Sequence, residues 1–285
     1  MNIALQRTQQ IFQKLDRDIV RLFSEQTPKN VHNFRTGTRR VETLLKELTS
    51  ERSRNEKKLL SLLARIRKRA GRVRDLDVQL SALRSLKVPQ QPRRKTQLMN
   101  SLIELRAEHE KKLRKVLTKD AVREIRKRLV RAARNLNLKA SRDPLAVARH
   151  MLAPMTHPDG PLTEELLHQY RILGKRARYA AEFAPKSPEA DRFIAELKRA
   201  QDAVGNWHDW FTLMQTAAQR LGDVRESSLV AVLHNVTGAK FRNAVAALPG
   251  IAKGPATSEI PPSGAPGKRQ AKKTSATAVQ ESSAA

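Results

Sequence analysis

The chain has 285 residues, which is enough for one large or two small hydrophobic cores. It carries 56 lysines and arginines against 28 acidic residues, and the formal net charge of +28 predicts an anionic partner. It contains no cysteine, which excludes disulfides, zinc–thiolate sites and thiol catalysis and is typical of a reducing cytoplasm.

Apolar residues recur with helical spacing along the chain, and no alternating run of β-branched residues predicts a strand. We expect helices over residues 3–23, 28–48, 54–86, 94–118 and 120–135, a short helix opened by Asp143-Pro144, and helices over 163–184, 189–221 and 226–247. The turn-rich stretch 154–161 separates two halves. No apolar run approaches the roughly 20 residues of a membrane span, and the amphipathic N-terminus predicts no signal peptide.

Residues 249–285 differ from the rest in composition, being rich in Ala, Ser, Thr, Pro and Lys. Such a segment cannot bury enough apolar surface to offset the entropy lost on ordering. We therefore predict a disordered basic tail that follows one helical region, residues 1–248.

An internal repeat organises that helical region. VHNFR at 31–35 reappears as LHQYR at 167–171, an offset of 136 residues, and RR at 39–40 corresponds to KR at 175–176. GRVRDLD at 71–77 matches GNWHDWF at 205–211, an offset of 134 residues. The same order at nearly the same offset predicts two similar helical bundles related by a pseudo-two-fold axis, at about 1–140 and about 143–248.

The repeated helices each present a row of basic residues opposite an apolar side, when successive residues are placed roughly 100° apart. In the first copy the row comprises His32, Arg35, Arg39 and Lys46. In the second copy it comprises His168, Arg171, Lys175 and Arg178. We expect no acidic residue except Glu182 to neutralise these rows. A single basic stripe is usually a solvated face, but its repetition favours a binding role.

A denser basic run lies on the third predicted helix. Arg65, Lys68, Arg69 and Arg72 share one arc of this helix. Residues 1–150 hold 39 basic and 15 acidic residues, so we expect the first half to hold a polyanion more tightly. Arginine suits bidentate contacts with phosphate, and a histidine with a pKa of about 6.5 would add a pH-dependent contact.

Asp75, Asp77 and Asp209 follow the glycines of the repeat. As a catalytic set they would be Mg²⁺ ligands, but capping of helix breaks or pairing with Arg72 and Arg74 is favoured. The histidine before Asp209 is likewise interpreted as structural. The sequence therefore predicts no catalytic residue, no metal ligand and no cofactor.

Four segments of the chain resemble the signature segments of the CHAD domain, the conserved histidine α-helical domain. They are VHNFRTGTRRVETLLKEL, ARIRKRAGRVRDLDVQLSAL, LHQYRILGKRARYAAEF and ELKRAQDAVGNWHDWF. The resemblance, over about residues 1–248, implies two pseudo-two-fold-related four-helix bundles that bind inorganic polyphosphate along a basic groove, and association with cytoplasmic polyphosphate granules. It implies that the ligands are His32, Arg35, Arg39 and Arg40, their counterparts His168, Arg171, Lys175 and Arg176, and Arg65, Arg69 and Arg72.

The second copy departs from this pattern, since Asn206 and Trp207 stand where the first has Arg72 and Val73, and Gly174 interrupts a ligand helix. Some relatives carry a CYTH triphosphatase domain, marked by Glu-x-Glu-x-Lys on a strand. The string EHEKK at 108–112 fits that mark but lies in a helical segment, so we interpret it as a chance match.

Two other functions stay open, which are nucleic-acid binding and an accessory role in an enzyme that processes polyphosphate or triphosphate. Aromatic residues make up only 4% of the chain, and we expect Trp207, Trp210, Tyr170 and Tyr179 to pack in the core rather than to stack on bases. No phosphate-cradling glycine loop is present. The favoured interpretation is a non-catalytic binder of polyphosphate.

Overall fold

The structure, a computed structural model, describes residues 3–49, 51–87, 92–138, 142–155, 162–222, 224–225 and 227–248. The tail predicted at 249–285 lies outside the described residues. Within them the only β-type contact is an isolated bridge between Thr49 and Leu138. The predicted all-α fold is thus confirmed for this part of the chain.

The described ranges contain nine α-helices, and each lies where the sequence predicts one, with bounds that differ by at most five residues. They are α1 (Ile3–Ser24), α2 (Pro28–Thr43), α3 (Arg54–Ser85), α4 (Pro92–Arg114), α5 (Lys119–Arg134), α6 (Pro144–Leu152), α7 (Glu164–Ala181), α8 (Pro188–Leu221) and α9 (Ser228–Ala246). A π-helical turn, Leu44–Leu48, prolongs α2. No helix in these ranges combines the length and apolarity needed to cross a membrane.

Local capping determines where the site-bearing helices begin. Thr27 accepts a hydrogen bond from the backbone N–H of Asn30, and Pro28 occupies the first turn of α2. Ser53 and Glu56 form a reciprocal capping box at the start of α3. Each cap stabilises its helix by about 1 kcal/mol and sets the residue at which the helix begins.

The long helices α3 and α8 run without interruption through Gly71 and Gly205. The continuous helices predicted over 54–86 and 189–221 are confirmed, and the alternative that the following aspartates cap helix breaks is wrong. A glycine costs a helix interior only about 1 kcal/mol, and the burial of Ile66, Val73 and Leu76 around Gly71 keeps α3 intact.

One hydrophobic core contains residues from both predicted repeats. The first half of α3 packs with α1, α2 and α5 around Leu15, Phe34 and Leu63. The second half of α3 and α4 share a core with the second half of α8 and α9. A pseudo-two-fold relation and the boundary near residue 140 stay predictions, and helices on both sides of that boundary bury one common surface.

Two packing contacts bring the predicted binding rows together. Helix α2 lies against α7, and α3 lies against α8. Both basic rows therefore meet at the centre of the molecule.

Candidate functional site

Arginines and a lysine from three helices converge at this centre. We call Arg35 and Arg39 of α2, Arg67 of α3, and Arg171 and Lys175 of α7 the cation cluster. Each interacts electrostatically with other members, and Lys175 is affected by Arg171, Arg35 and Arg39 together. Two residues from each of the rows predicted 136 residues apart thus lie together in one cluster.

Burial makes the charges of the cation cluster costly. Burial first, and then repulsion from Arg171, lower the pKa of Lys175 to about 8. Burial also lowers the pKa of Arg35 and of Arg171, although Asp75 partly offsets the effect at both. The Nε of Arg171 is buried and has no hydrogen-bond partner among the described residues. Like charges held this close are relieved by an anion that binds among them.

A glycine gives Arg35 its position. The Arg35 guanidinium lies on Gly71 of α3, where an added Cβ would approach Nη1 to less than 3.0 Å. Nη1 also donates to the carbonyl oxygen of Arg67, at 3.4 Å. The absence of a side chain at Gly71 thus allows the guanidinium to reach the centre of the cation cluster.

The histidines line the same region. His168 of α7 and His208 of α8 lie with their ring centroids 5.3 Å apart. Burial, then the charge of Arg171, lower the pKa of His208 to about 3, so its ring is neutral at physiological pH. His32 keeps a solvent-exposed surface, but its ring is partly desolvated, and this desolvation and then the charge of Arg74 lower its pKa. In the free protein these two rings therefore act as neutral hydrogen-bonding groups.

Arg40 and Arg176 are engaged in ion pairs between the two halves. Arg40 of α2 donates to Glu182 at the end of α7, with Nε and Oε2 2.8 Å apart. Arg176 of α7 donates in turn to Glu47 of the π-helical turn. These pairs hold α2 against α7 and leave both arginines at the edge of the cation cluster.

Arg178 and Lys46 are likewise paired. Arg178 donates to Glu182 and to Gln201, and its guanidinium lies 4.9 Å from the ring centroid of Tyr179. Lys46 donates to Glu42 at 2.8 Å.

The expectation that only Glu182 neutralises the rows is wrong. Glu42 lies 3.3 Å from Arg67 and 3.6 Å from Arg39, besides its bond to Lys46. The reason is the helical spacing, because Glu42 lies three residues after Arg39 and four before Lys46.

Arg65, Arg69 and Arg72 are exposed, and at roughly 100° per residue they lie about 100–160° around α3 from Gly71. The structure does not bring Arg65 or Arg69 into the cation cluster. Arg69 and Arg72 lie instead towards His109 of α4, whose pKa burial and the nearby charges lower. Arg72 also lines a pocket that contains His208.

Sequence reasoning assigned no binding role to Arg67, Arg74, His208 or Asp209, which the structure places at or beside the cation cluster. A signal was available on α3. Arg67, Gly71 and Arg74 are spaced at i, i+4 and i+7 and share one face, and the glycine marks that face as a place of close approach.

The remaining motifs have structural explanations. Asp77 is buried and pairs with Arg106 of α4 at 2.8 Å, so a structural role is confirmed with a different partner from those expected. Trp207, Tyr170 and Tyr179 are buried as predicted. The EHEKK string lies on α4, which confirms that it is not on a strand.

Comparison with known proteins identifies similar chains. The family model of the CHAD domain matches residues 4–218. The crystal structure of the CHAD domain from the plant Ricinus communis is 19% identical, with a TM-score of 0.58, and the match covers 81% of this chain and 83% of that one. PptA from Streptomyces chartreusis is 16% identical, with a TM-score of 0.63, over 86% of this chain and 95% of that one. No curated protein matches.

Proposed function

The chain belongs to the CHAD-domain family, and we propose that its cation cluster binds inorganic polyphosphate without catalysing a reaction on it. The family is associated with polyphosphate and triphosphate binding. Cytoplasmic polyphosphate granules are the cellular setting that we propose, on the family resemblance alone.

The observation that carries this proposal is the convergence of partly buried cations from α2, α3 and α7. Arg35, Arg171 and Lys175 lie close enough to lower one another's pKa or to share the same neighbours. A phosphate chain carries a negative charge on each unit, so it offers a partner to every one of these cations. Arginine adds bidentate hydrogen bonds to phosphate oxygens.

Aromatic burial favours a phosphate chain that has no bases. Single-stranded nucleic acids are held largely by stacking of bases on exposed aromatic rings. Here Trp207 is 1% exposed, and Tyr170 and Tyr179 are each 5% exposed. A nucleic acid would therefore gain no base stacking on these three rings.

The chemistry of the cation cluster also favours binding over turnover. Arginine dominates it, and a guanidinium stays protonated and supplies charge rather than acid–base catalysis. The alternative, an accessory or catalytic role towards a triphosphate, is tested by incubating the protein with polyphosphate and Mg²⁺. We expect no release of phosphate, and release at a rate proportional to protein concentration would favour the alternative.

The proposal is tested by removing two central charges and comparing the loss with that caused by removing two peripheral charges. Arg35→Gln with Arg171→Gln acts in the cation cluster, and Lys127→Gln with Arg131→Gln acts on the exposed surface of α5. Because each charge-assisted hydrogen bond contributes about 1.5–3 kcal/mol, we expect the central pair to weaken polyphosphate binding by about 100-fold or more. The peripheral pair should weaken it by a small factor, and equal losses would contradict a localised site.

A further inference from the structure

A pocket of about 210 Å³ lies between α3 and α8, next to the cation cluster. Its lining differs from the cluster, because acidic, amide and hydroxyl side chains outnumber the bases. The lining includes Asp75, Gln79, His208, Asp209, Thr212 and Thr216.

Oxygen acceptors dominate the pocket. The Thr212 hydroxyl donates to the carbonyl oxygen of Asp209, and the Thr216 hydroxyl donates to that of Thr212, so both protons are used within α8. The lone pairs of these hydroxyl oxygens stay available. Gln79 is only 6% exposed, and its Oε1 has no hydrogen-bond partner among the described residues. A hydrogen-bond donor or a cation next to this buried oxygen would offset the cost of leaving it unpaired.

The carboxylates of Asp75 and Asp209 would repel a polyanion bound in the neighbouring cation cluster. Neither forms an ion pair within 4.0 Å with any described residue, although Arg35, Arg171 and Lys175 are near enough to interact electrostatically. Asp209 is partly buried, whereas Asp75 is exposed to solvent. A phosphate chain alone would be disfavoured here, because each added phosphate repels both carboxylates.

We propose that this pocket seats a hydrated divalent cation of the Mg²⁺ class, held by Asp75, Asp209 and the Oε1 of Gln79 and shared with the phosphate chain in the cation cluster. This inference rests on the proposed function and specifies the form of the ligand, a metal–phosphate complex.

The composition of the pocket fits such a shared ion better than a resident one. Mg²⁺ keeps several of its waters and is usually bound by one or two carboxylates together with phosphates of the ligand. Its waters donate hydrogen bonds, which suits the free lone pairs of Thr212 and Thr216. No group of three or more acidic, histidine or cysteine side chains in the described ranges could hold a metal unaided. The phosphate chain supplies the missing ligands.

The test is a cycle in which polyphosphate affinity is measured by calorimetry in EDTA and in excess Mg²⁺ at equal ionic strength. It compares the full-length protein with the Asp75→Asn, Asp209→Asn double variant. Chelation of Mg²⁺ by free polyphosphate is common to both proteins and cancels. In EDTA we expect the variant to bind more tightly, because the repulsion is removed. The ratio of affinity in Mg²⁺ to affinity in EDTA should be about tenfold larger for the unaltered protein, within the usual range of coupling between two ligands.

Glu196→Gln is the matched control, since it removes one acidic charge from an exposed position of α8, and its ratio should equal that of the unaltered protein. A second readout uses Mn²⁺ with tripolyphosphate. Water-proton relaxation should show that the complex of tripolyphosphate with the unaltered protein binds Mn²⁺ more tightly than the complex with the double variant does.

The outcomes separate this inference from the proposed function. Equal Mg²⁺ ratios for the two proteins, or an equal loss of affinity by the variant in both buffers, would overturn the cation site and leave polyphosphate binding intact. If the unaltered protein bound no polyphosphate in EDTA and none in Mg²⁺, the proposed function would be overturned, and the cation site with it.

Discussion

Gly71→Ala should weaken polyphosphate binding without unfolding the protein. The new Cβ would come within 3.0 Å of Arg35 Nη1, whereas ordinary contacts lie at 3.4–4 Å. The guanidinium must therefore move by roughly half an ångström or more, which also breaks its long hydrogen bond to the Arg67 carbonyl. Losing one well-placed charge-assisted bond to phosphate costs about 1.5 kcal/mol, so we expect about tenfold weaker binding.

Gly205→Ala provides the matched control, because this glycine holds the corresponding position of α8 and an added Cβ there meets nothing within 4 Å. Alanine should stabilise either helix by up to about 1 kcal/mol, and at position 71 the displaced arginine offsets part of this gain. Calorimetric titration with polyphosphate and thermal unfolding of both variants measure the two effects. Unchanged affinity in Gly71→Ala, or an equal loss in Gly205→Ala, would refute the role assigned to this close approach.

Three further predictions concern other parts of the site. The sequence alone predicts that Arg35→Ala with Arg39→Ala weakens binding more than Arg171→Ala with Lys175→Ala. Because the structure places all four residues in one cluster, we expect the two double variants to lose affinity to within about threefold of each other, about 0.7 kcal/mol, in calorimetric titrations. The pKa of Lys175 is about 8, and a bound anion raises it. The protein should therefore take up a proton when it binds polyphosphate near pH 8, and its affinity should fall at higher pH. Lys175→Arg should abolish both effects, measured by calorimetry in buffers of different ionisation enthalpy, and persistence of the proton uptake would assign it to another group. Glu182→Gln removes the partner of two arginines and should destabilise the protein by about 1 kcal/mol while binding is unchanged or tighter, measured by thermal unfolding and titration. Weaker binding by this variant would contradict the structural role of those pairs.

The helices were predictable because their limits are set locally. Thr27-Pro28, Ser53 with Glu56, Asp143-Pro144 and Ser187-Pro188 are short-range signals, and each one caps a helix in the structure. The basic rows of α2 and α7 were also predictable, since they follow from helical periodicity and from the repeat.

The pairing of charges across the site was not predictable from periodicity. Arg40 meets Glu182 and Arg176 meets Glu47 only because α2 packs on α7, over sequence separations of 142 and 129 residues. Similarly, the sequence favoured Arg65 and Arg69 because they lie in the densest basic arc of α3. In the structure these two are exposed, and it is Arg67, from a less basic arc, that lies in the cation cluster. Which arc of a helix faces its neighbour depends on tertiary contacts, and a buried glycine was the only local sign.

Competition between polyphosphate and nucleic acid for the protein tests most directly whether the cation cluster is a polyphosphate site. Long-chain polyphosphate, single-stranded DNA and double-stranded DNA are titrated at equal phosphate concentration and near-physiological salt, where non-specific backbone binding is weakened. We expect polyphosphate to bind most tightly and to displace both forms of DNA. Displacement of polyphosphate by either DNA at equal phosphate concentration would contradict the assignment of a polyphosphate site.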